Sequence, residues 1–375
     1  MTATTFNEML HALRGDALAA VPRGAATFLS AGCAGAWYFD WIAERYPGIE
    51  RHVGVEYYSP KPEHLPANAE WIRASVADMS PVASESVDLL FSGQNIEHLP
   101  EPDIGAFLRE AHRTLRPGGM LVIDSPNRAI TERLGWFQPE HVIEFRVDEI
   151  RTLVELAGFD IESIKGLWQC YDPSSHRVLP LDPGTDERAS LQRMAAASDD
   201  PENAFAWWLI ARKSARAGDW AAIDAAVGRI AGQAYASVRC RYFSQIGRIA
   251  HEILQSEARG PQGTSGFLLY GPYMPLFPGR YHVVFRVRRT DGAASGQGRR
   301  TLLGHVDVSS AYAKRDIARR DMTAADLAVP GPDGYCAVAL AFELEDALFG
   351  TEFRVFTTGA AALAAALPLQ VTRLP

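Results

Sequence analysis

The chain has 375 residues, 47% of them hydrophobic and 22% charged, with a formal net charge of −8. That length suits two domains, and the apolar share excludes an intrinsically disordered chain. The acidic excess argues against a dedicated nucleic-acid binder, which carries a basic face. The local run Arg286-Val287-Arg288-Arg289, with Arg299-Arg300, reads as a solvated hairpin edge. Cys33, Cys170, Cys240 and Cys336 lack metal-ligand spacing, which fits free thiols in a reducing compartment. Met1 to Leu18 is polar and amphipathic with no apolar signal core, and no segment offers the ~20 apolar residues of a membrane span. The expectation is a cytoplasmic protein without an integral membrane segment or a nucleic-acid partner.

Short apolar runs alternate with helical patterns through the first half, the grammar of a parallel sheet with crossover helices. Ala26 to Ser30 predicts the first strand and Ala36 to Tyr46 the following helix. His52 to Glu56, Glu70 to Ala74 and Ser86 to Phe91 predict strands two to four. Ile104 to Leu115 spaces Phe107, Leu108, Ala111 and Leu115 as one helical face, and Arg116-Pro117-Gly118-Gly119 stops it. Met120 to Asp124 predicts strand five, Val147 to Gly158 a helix, and Phe159 to Gln169 strand six. A helix around Glu187 to Ser198 precedes strand seven, Ala204 to Lys213.

Asp219 to Gln255 carries Trp220, Ile223, Val227 and Ile230 on one face and reads as a helical connector. From about Gly260 the period becomes two, with Tyr281, Val283, Phe285 and Val287 alternating with polar residues. Further strands are predicted at Thr301 to Val308, Tyr335 to Leu344, Thr351 to Thr357 and Leu367 to Arg373. Turn residues such as Asp291-Gly292 and Gly331-Pro332-Asp333-Gly334 separate them, the pattern of an antiparallel β-sandwich or jelly roll. The expected organisation is an α/β domain over 1–213, a connector over 214–260 and a β-sandwich over 261–375.

Ser30-Ala31-Gly32-Cys33-Ala34-Gly35-Ala36 is a glycine-rich turn between the first strand and its helix. A ligand lying across the carboxyl ends of parallel strands needs the backbone to approach closely there. Glu56 ends strand two, where a carboxylate can accept hydrogen bonds from ribose hydroxyls. Turn and acid together point to a nucleoside-bearing cofactor.

The succession FLSAGCAGAW, VGVE, ASVADM, SVDLLFSGQNIEHL and LREAHRTLRPGGMLVIDSP resembles class I S-adenosylmethionine-dependent methyltransferases, from about Ala25 to Phe159. The resemblance implies a Rossmann-like seven-stranded sheet ending in a reversed hairpin, and S-adenosylmethionine as cofactor. It places Ser30, Ala31, Gly32, Cys33 and Gly35 at the cofactor's methionine part and Glu56 at the ribose. Tyr57, Ala77, Asp78, Met79 and Gln94 complete the cofactor-binding set. Two departures stand out: the usual acid-x-Gly-x-Gly-x-Gly turn has Ser30 in place of the acid and Ala34 and Ala36 in place of two glycines, and family spacing for the adenine-site acid falls closer to Val76 than to Asp78.

Methyl transfer to a hydroxyl needs positioning and a base to take the proton. His98, with Glu97 beside it, leaves strand four at the cofactor end and is the candidate base. His141 is a second base or orienting group. Some relatives of the resembled family hold a divalent metal with Glu-x-x-Glu-His, but Gln94 stands in place of the first acid. No metal is therefore expected.

Gly271-Pro272-Tyr273-Met274-Pro275-Leu276-Phe277-Pro278-Gly279-Arg280-Tyr281 resembles a segment of β-sandwich modules attached to bacterial polysaccharide-modifying enzymes. Tyr270, Tyr273 and Arg280 are the substrate-binding candidates there. The leading expectation is an O-methyltransferase for a sugar hydroxyl of a surface glycan or its precursor. The alternatives are a methyltransferase for a small quinone- or phenol-like molecule, and a non-catalytic glycan-binding or scaffold protein. Self-association into a homo-oligomer is compatible with each.

Overall fold

The computed structural model describes residues 5–374 except 137, 139–140, 239–241, 252–255, 277, 292–297, 311–314, 347 and 368. Cys240, Phe277 and Gly292 of the sequence reading lie outside the described residues. Two compact units divide the chain: one holds 1–137 and 142–233, the other 234–375 together with the four residues 138–141.

The first unit is α/β. Its strands are β1 (Thr27–Ala31), β2 (Arg51–Glu56), β3 (Ala69–Arg73), β4 (Val87–Gly93), β5 (Leu115–Pro126), β6 (Phe159–Gln169) and β7 (Ala204–Lys213). They form one seven-stranded mixed sheet in the order β3-β2-β1-β4-β5-β7-β6. β1 to β5 pair in parallel, and β7 runs antiparallel to both β5 and β6. β1 and β4 are buried along nearly their whole lengths, which is why they read as continuous apolar runs rather than alternating ones. The chain turns to opposite sides after β1 and β3, so a crevice opens between the carboxyl ends of β1 and β4.

Helices cover the sheet. α1 (Phe6–Ala19) starts in a capping box, with the Glu8 amide donating to Thr5 Oγ1 and the Thr5 amide to Glu8 Oε2. The sequence reading did not assign this helix. α2 (Ala36–Arg45) buries Tyr38, Phe39, Trp41 and Ile42 in a core shared with Phe28 and Phe91. α3 (Glu101–Thr114) buries Ile104, Phe107, Leu108 and Ala111, the face its spacing predicts. α4 (Arg128–Leu134), α5 (Val147–Leu156) and α6 (Glu187–Asp199) follow. α7 (Trp220–Val238) ends well before Gln255, and its Gly105-facing residues Ile223 and Asp224 pack it on α3. The expected helical connector therefore stops at Val238, and strands take over from Arg248.

The second unit is antiparallel throughout its two main sheets. β8 (Arg248–His251), β9 (Ser256–Gly260), β12 (Gly279–Arg289), β15 (Cys336–Leu344), β17 (Leu363–Leu367) and β18 (Gln370–Leu374) form the six-stranded sheet. β10 (Gly266–Leu269), β11 (Pro272–Leu276), β13 (Leu302–Ser310), β14 (Arg315–Thr323) and β16 (Leu348–Thr357) form the five-stranded one. One hydrophobic cluster draws Val283, Phe285 and Val338 from the first sheet and Val306, Val308, Phe353 and Val355 from the second. Among the described residues no helix is long and apolar enough to cross a membrane.

Candidate active site

The turn after β1 is built from backbone. Gly32, at φ +82°, donates its N–H to the Val55 carbonyl at 2.9 Å, and the Gly35 N–H returns to the Cys33 carbonyl. A Cβ on Gly32 would lie 2.5 Å from Asn95 Oδ1, so only glycine lets the ends of β1 and β4 come this close. Gly54 on β2 is equally tight, because a Cβ there would meet Phe39 Cζ at 2.4 Å and Cys33 Sγ at 2.7 Å.

Glu56 is buried at the end of β2. Its Oε2 accepts from the Ala34 amide at 3.1 Å, and its Oε1 accepts from Tyr58 at 2.8 Å and Ser59 at 3.0 Å. A carboxylate offers about four acceptor positions. Three are taken, which leaves acceptor capacity on Oε2 at the mouth of the crevice. The same bonds fix the carboxylate against the glycine turn, so turn and acid form one rigid cradle.

The remaining cofactor candidates divide by where their side chains go. Ser30 faces away from the turn, with its Oγ 2.7 Å from His52 Nε2 in the core. Cys33 is buried, and burial with nearby Glu56 pushes its thiol up to about 12. Ala77 donates to Ser75 Oγ at 3.1 Å, exposed Asp78 accepts from the Ser80 amide at 3.2 Å, and Met79 is fully buried. Tyr57 and Tyr58 stand exposed with ring centroids 5.0 Å apart.

At the end of β4 the chain turns through Gln94, a non-glycine residue at φ +53°. Its Nε2 donates to Asp124 Oδ2 at 2.8 Å. A 3-10 turn, Ile96–His98, then carries buried Glu97 and half-buried His98. The Val142 and Ile143 amides donate to the Glu97 carbonyl at 2.7 and 3.2 Å, which brings the preceding residue, His141, alongside. Glu97, His98 and His141 offer ligand atoms within 4.8 Å of one another. The three residues singled out for proton chemistry therefore share one neighbourhood, and the set also has a donor composition that can hold a cation.

Sequence reasoning missed Arg14 and Asp124. Arg14 on α1 donates through Nε to Asp124 Oδ2 at 2.7 Å and through Nη2 to Oδ1 at 3.2 Å, both side chains buried at the end of β5. Burial works against the Arg14 charge, yet the Asp124 carboxylate holds its pKa above the usual value. The separation of 110 positions between the partners hides the pair from any local pattern.

In the second unit, Tyr270 and Tyr273 meet at Phe243, with ring centroids 5.6 and 6.1 Å from it, and Phe243 is 45% exposed. Arg280 lies instead on the other sheet. It lines a shallow depression of about 620 Å³ with Gly279, Glu343, Arg373 and Leu374.

Residues 29–123 match the family model described as a methyltransferase domain. The match lies within the first unit and spans both the glycine turn and the β4 exit. A probable S-adenosylmethionine-dependent methyltransferase of Mycolicibacterium smegmatis is 33% identical over 146 residues, 37% of this chain and 54% of that protein. The trans-aconitate 2-methyltransferase of an Azoarcus species is 37% identical over 116 residues, 30% of this chain and 44% of that protein. A crystal structure of an S-adenosylmethionine-dependent methyltransferase from Archaeoglobus fulgidus is 17% identical with a TM-score of 0.37, covering 51% of this chain and 87% of that one. The chain spans about half the length of the curated relatives it matches.

Proposed function

We propose that this chain is an S-adenosylmethionine-dependent O-methyltransferase whose acceptor is a sugar hydroxyl of a bacterial glycan or its precursor. The observation that carries the enzyme reading is the cradle of Gly32 and Glu56 inside the segment that matches a methyltransferase domain. Bound there, S-adenosylmethionine supplies an electrophilic methyl group. The backbone of residues 31–35 would hold its amino-acid part, Glu56 Oε2 would accept from a ribose hydroxyl, and Tyr57, Ala77 and Asp78 would frame the adenine.

The chain's own work is positioning and proton removal. A sugar hydroxyl is too weak an acid to lose its proton unaided at neutral pH, so a base must take it as the new C–O bond forms. His98 has that role, with Glu97 and His141 orienting its ring and balancing the charge it acquires. Excluding water and aligning the acceptor contribute the larger share of the rate.

The glycan part rests on the second unit, read as a β-sandwich module. The exposed Phe243 with Tyr270 and Tyr273 offers ring faces for sugar C–H surfaces, and Arg280 with Glu343 offers groups for hydroxyls. A second reading, a small-molecule acceptor, draws support from the relative named for trans-aconitate.

Transfer of labelled methyl to panels of glycans and small organic acids tests both. Labelling of a glycan, lost on His98→Ala while cofactor binding persists, fits the leading reading. Labelling of small acids alone selects the second, and wild-type transfer rates in His98→Ala overturn the assignment of the base.

A further inference from the structure

Arg14 and Asp124 form a bidentate ion pair in the interior, with relative side-chain exposures of 9% and 0%. Such a pair gains little net stability over apolar side chains of similar size, because desolvation offsets the attraction. Its placement is more informative. Asp124 Oδ2 also accepts from the Gln94 side chain at 2.8 Å, and the Asp124 carbonyl accepts the Gln94 amide at 2.9 Å. Gln94 sits in the left-handed region, which a glutamine keeps only where its surroundings fix it. The preceding residue, Gly93, packs directly on the pair: a Cβ there would lie 2.3 Å from Arg14 Nη2 and 2.8 Å from Asp124 Oδ1. The turn that leaves β4 and leads into Glu97 and His98 is thus moulded against a guanidinium supplied by α1.

We propose that Arg14 is a positioning residue: through Asp124 it fixes the Gln94 turn and so sets the place of the 3-10 turn Ile96–His98. Only the cofactor readout below rests on the methyltransferase reading; the positioning claim has its own.

Hydrogen exchange on the full chain tests it. In Arg14→Met, amides 94–98 exchange at least about tenfold faster while those of β2 and β3 stay at wild-type rates. Arg14→Lys keeps the charge but loses the fork, so its increase is smaller, about threefold. Equal protection of 94–98 in both variants, or a rise spread evenly over the sheet, overturns the proposal. If Arg14→Met does not fold, Arg14→Lys decides alone by the same segment. Calorimetric titration with S-adenosylmethionine adds the second readout, with affinity in Arg14→Met about tenfold weaker. Unchanged affinity together with faster exchange confined to 94–98 separates the turn from cofactor binding and leaves the positioning role standing. Absence of binding by the wild type, with exchange changes confined to 94–98, sinks the methyltransferase reading and leaves the positioning role standing.

Discussion

The Glu56 carboxylate and the Ala34 amide lie 3.1 Å apart, which ties the end of β2 to the turn that follows β1. The bond makes the acid part of the turn's own structure. Any ligand at the crevice meets a backbone that is already shaped, and that preorganisation lowers the ordering cost of binding.

Gly32 is the most constrained position in that turn. Its φ of +82° disfavours any side chain, and a Cβ would press on Asn95 Oδ1 at 2.5 Å. Gly32→Ala is expected to cost about 1–3 kcal/mol of stability. Urea unfolding followed by tryptophan fluorescence measures this cleanly, because all eight tryptophans fall between Trp37 and Trp220, in the first unit. A variant as stable as the wild type would mean that the turn is more yielding than its geometry indicates.

His52 predicts a pH dependence. It is 3% exposed beneath Ser30, and burial lowers its pKa from 6.5 to about 4. The folded state therefore binds this proton less readily than the unfolded chain does. Stability from the neutral ring is fully present above pH 6.5 and is lost as pH falls toward 4. The loss approaches about 1.4 kcal/mol per pH unit inside that window. Replacing His52 with Gln should flatten this part of the stability–pH curve, and an unchanged slope would assign the dependence to other groups.

Much of the first unit was legible because its strands announce themselves. Buried parallel strands such as Phe28 to Ala31 and Leu89 to Ser92 are short, mostly apolar runs between turn residues, and α3 has clear helical spacing. Glu56 and the glycine turn were legible for a related reason, since both follow strand ends at set distances. Other features carried no local signal. The Arg14–Asp124 pair joins residues far apart in the chain. β17 consists only of alanine and leucine, a composition with little strand preference, and it is held by pairing with β9 and β12 and by full burial. β14 is charged and mostly exposed at a sheet edge, where the alternation that betrays a strand is lost.

Two of the thiols should be inert. Cys33 and Cys170 are buried, and burial pushes both up to about 12. Alkylation at pH 8 mapped by mass spectrometry should leave both unlabelled in the folded protein and label both in urea. Rapid labelling of Cys33 in the folded state would show that the glycine turn opens.

The second unit contains its own buried charge pair. Arg354 Nε donates to Asp307 Oδ1 at 2.6 Å, with His305 Nε2 3.1 Å from the other oxygen. Asp316 Oδ1, largely exposed, lies 3.3 Å from Arg354 Nη2, so Asp307→Ala removes the buried one of two carboxylates and should cost about 1–3 kcal/mol. Pairing it with Arg354→Met should recover much of the loss. Residues 234–375 contain no tryptophan, so the relevant transition is the part of the circular-dichroism melt that tryptophan fluorescence does not share. Equal melts for Asp307→Ala and the wild type would remove this pair from the unit's stability.

The central claim is that the cradle of Gly32 and Glu56 holds S-adenosylmethionine. Calorimetric titration of the wild type and Glu56→Ala with S-adenosylmethionine tests it most directly. The wild type should bind saturably, and the variant at least about tenfold (about 1.4 kcal/mol) more weakly. No binding by the wild type, or equal affinity in the two proteins, would contradict it.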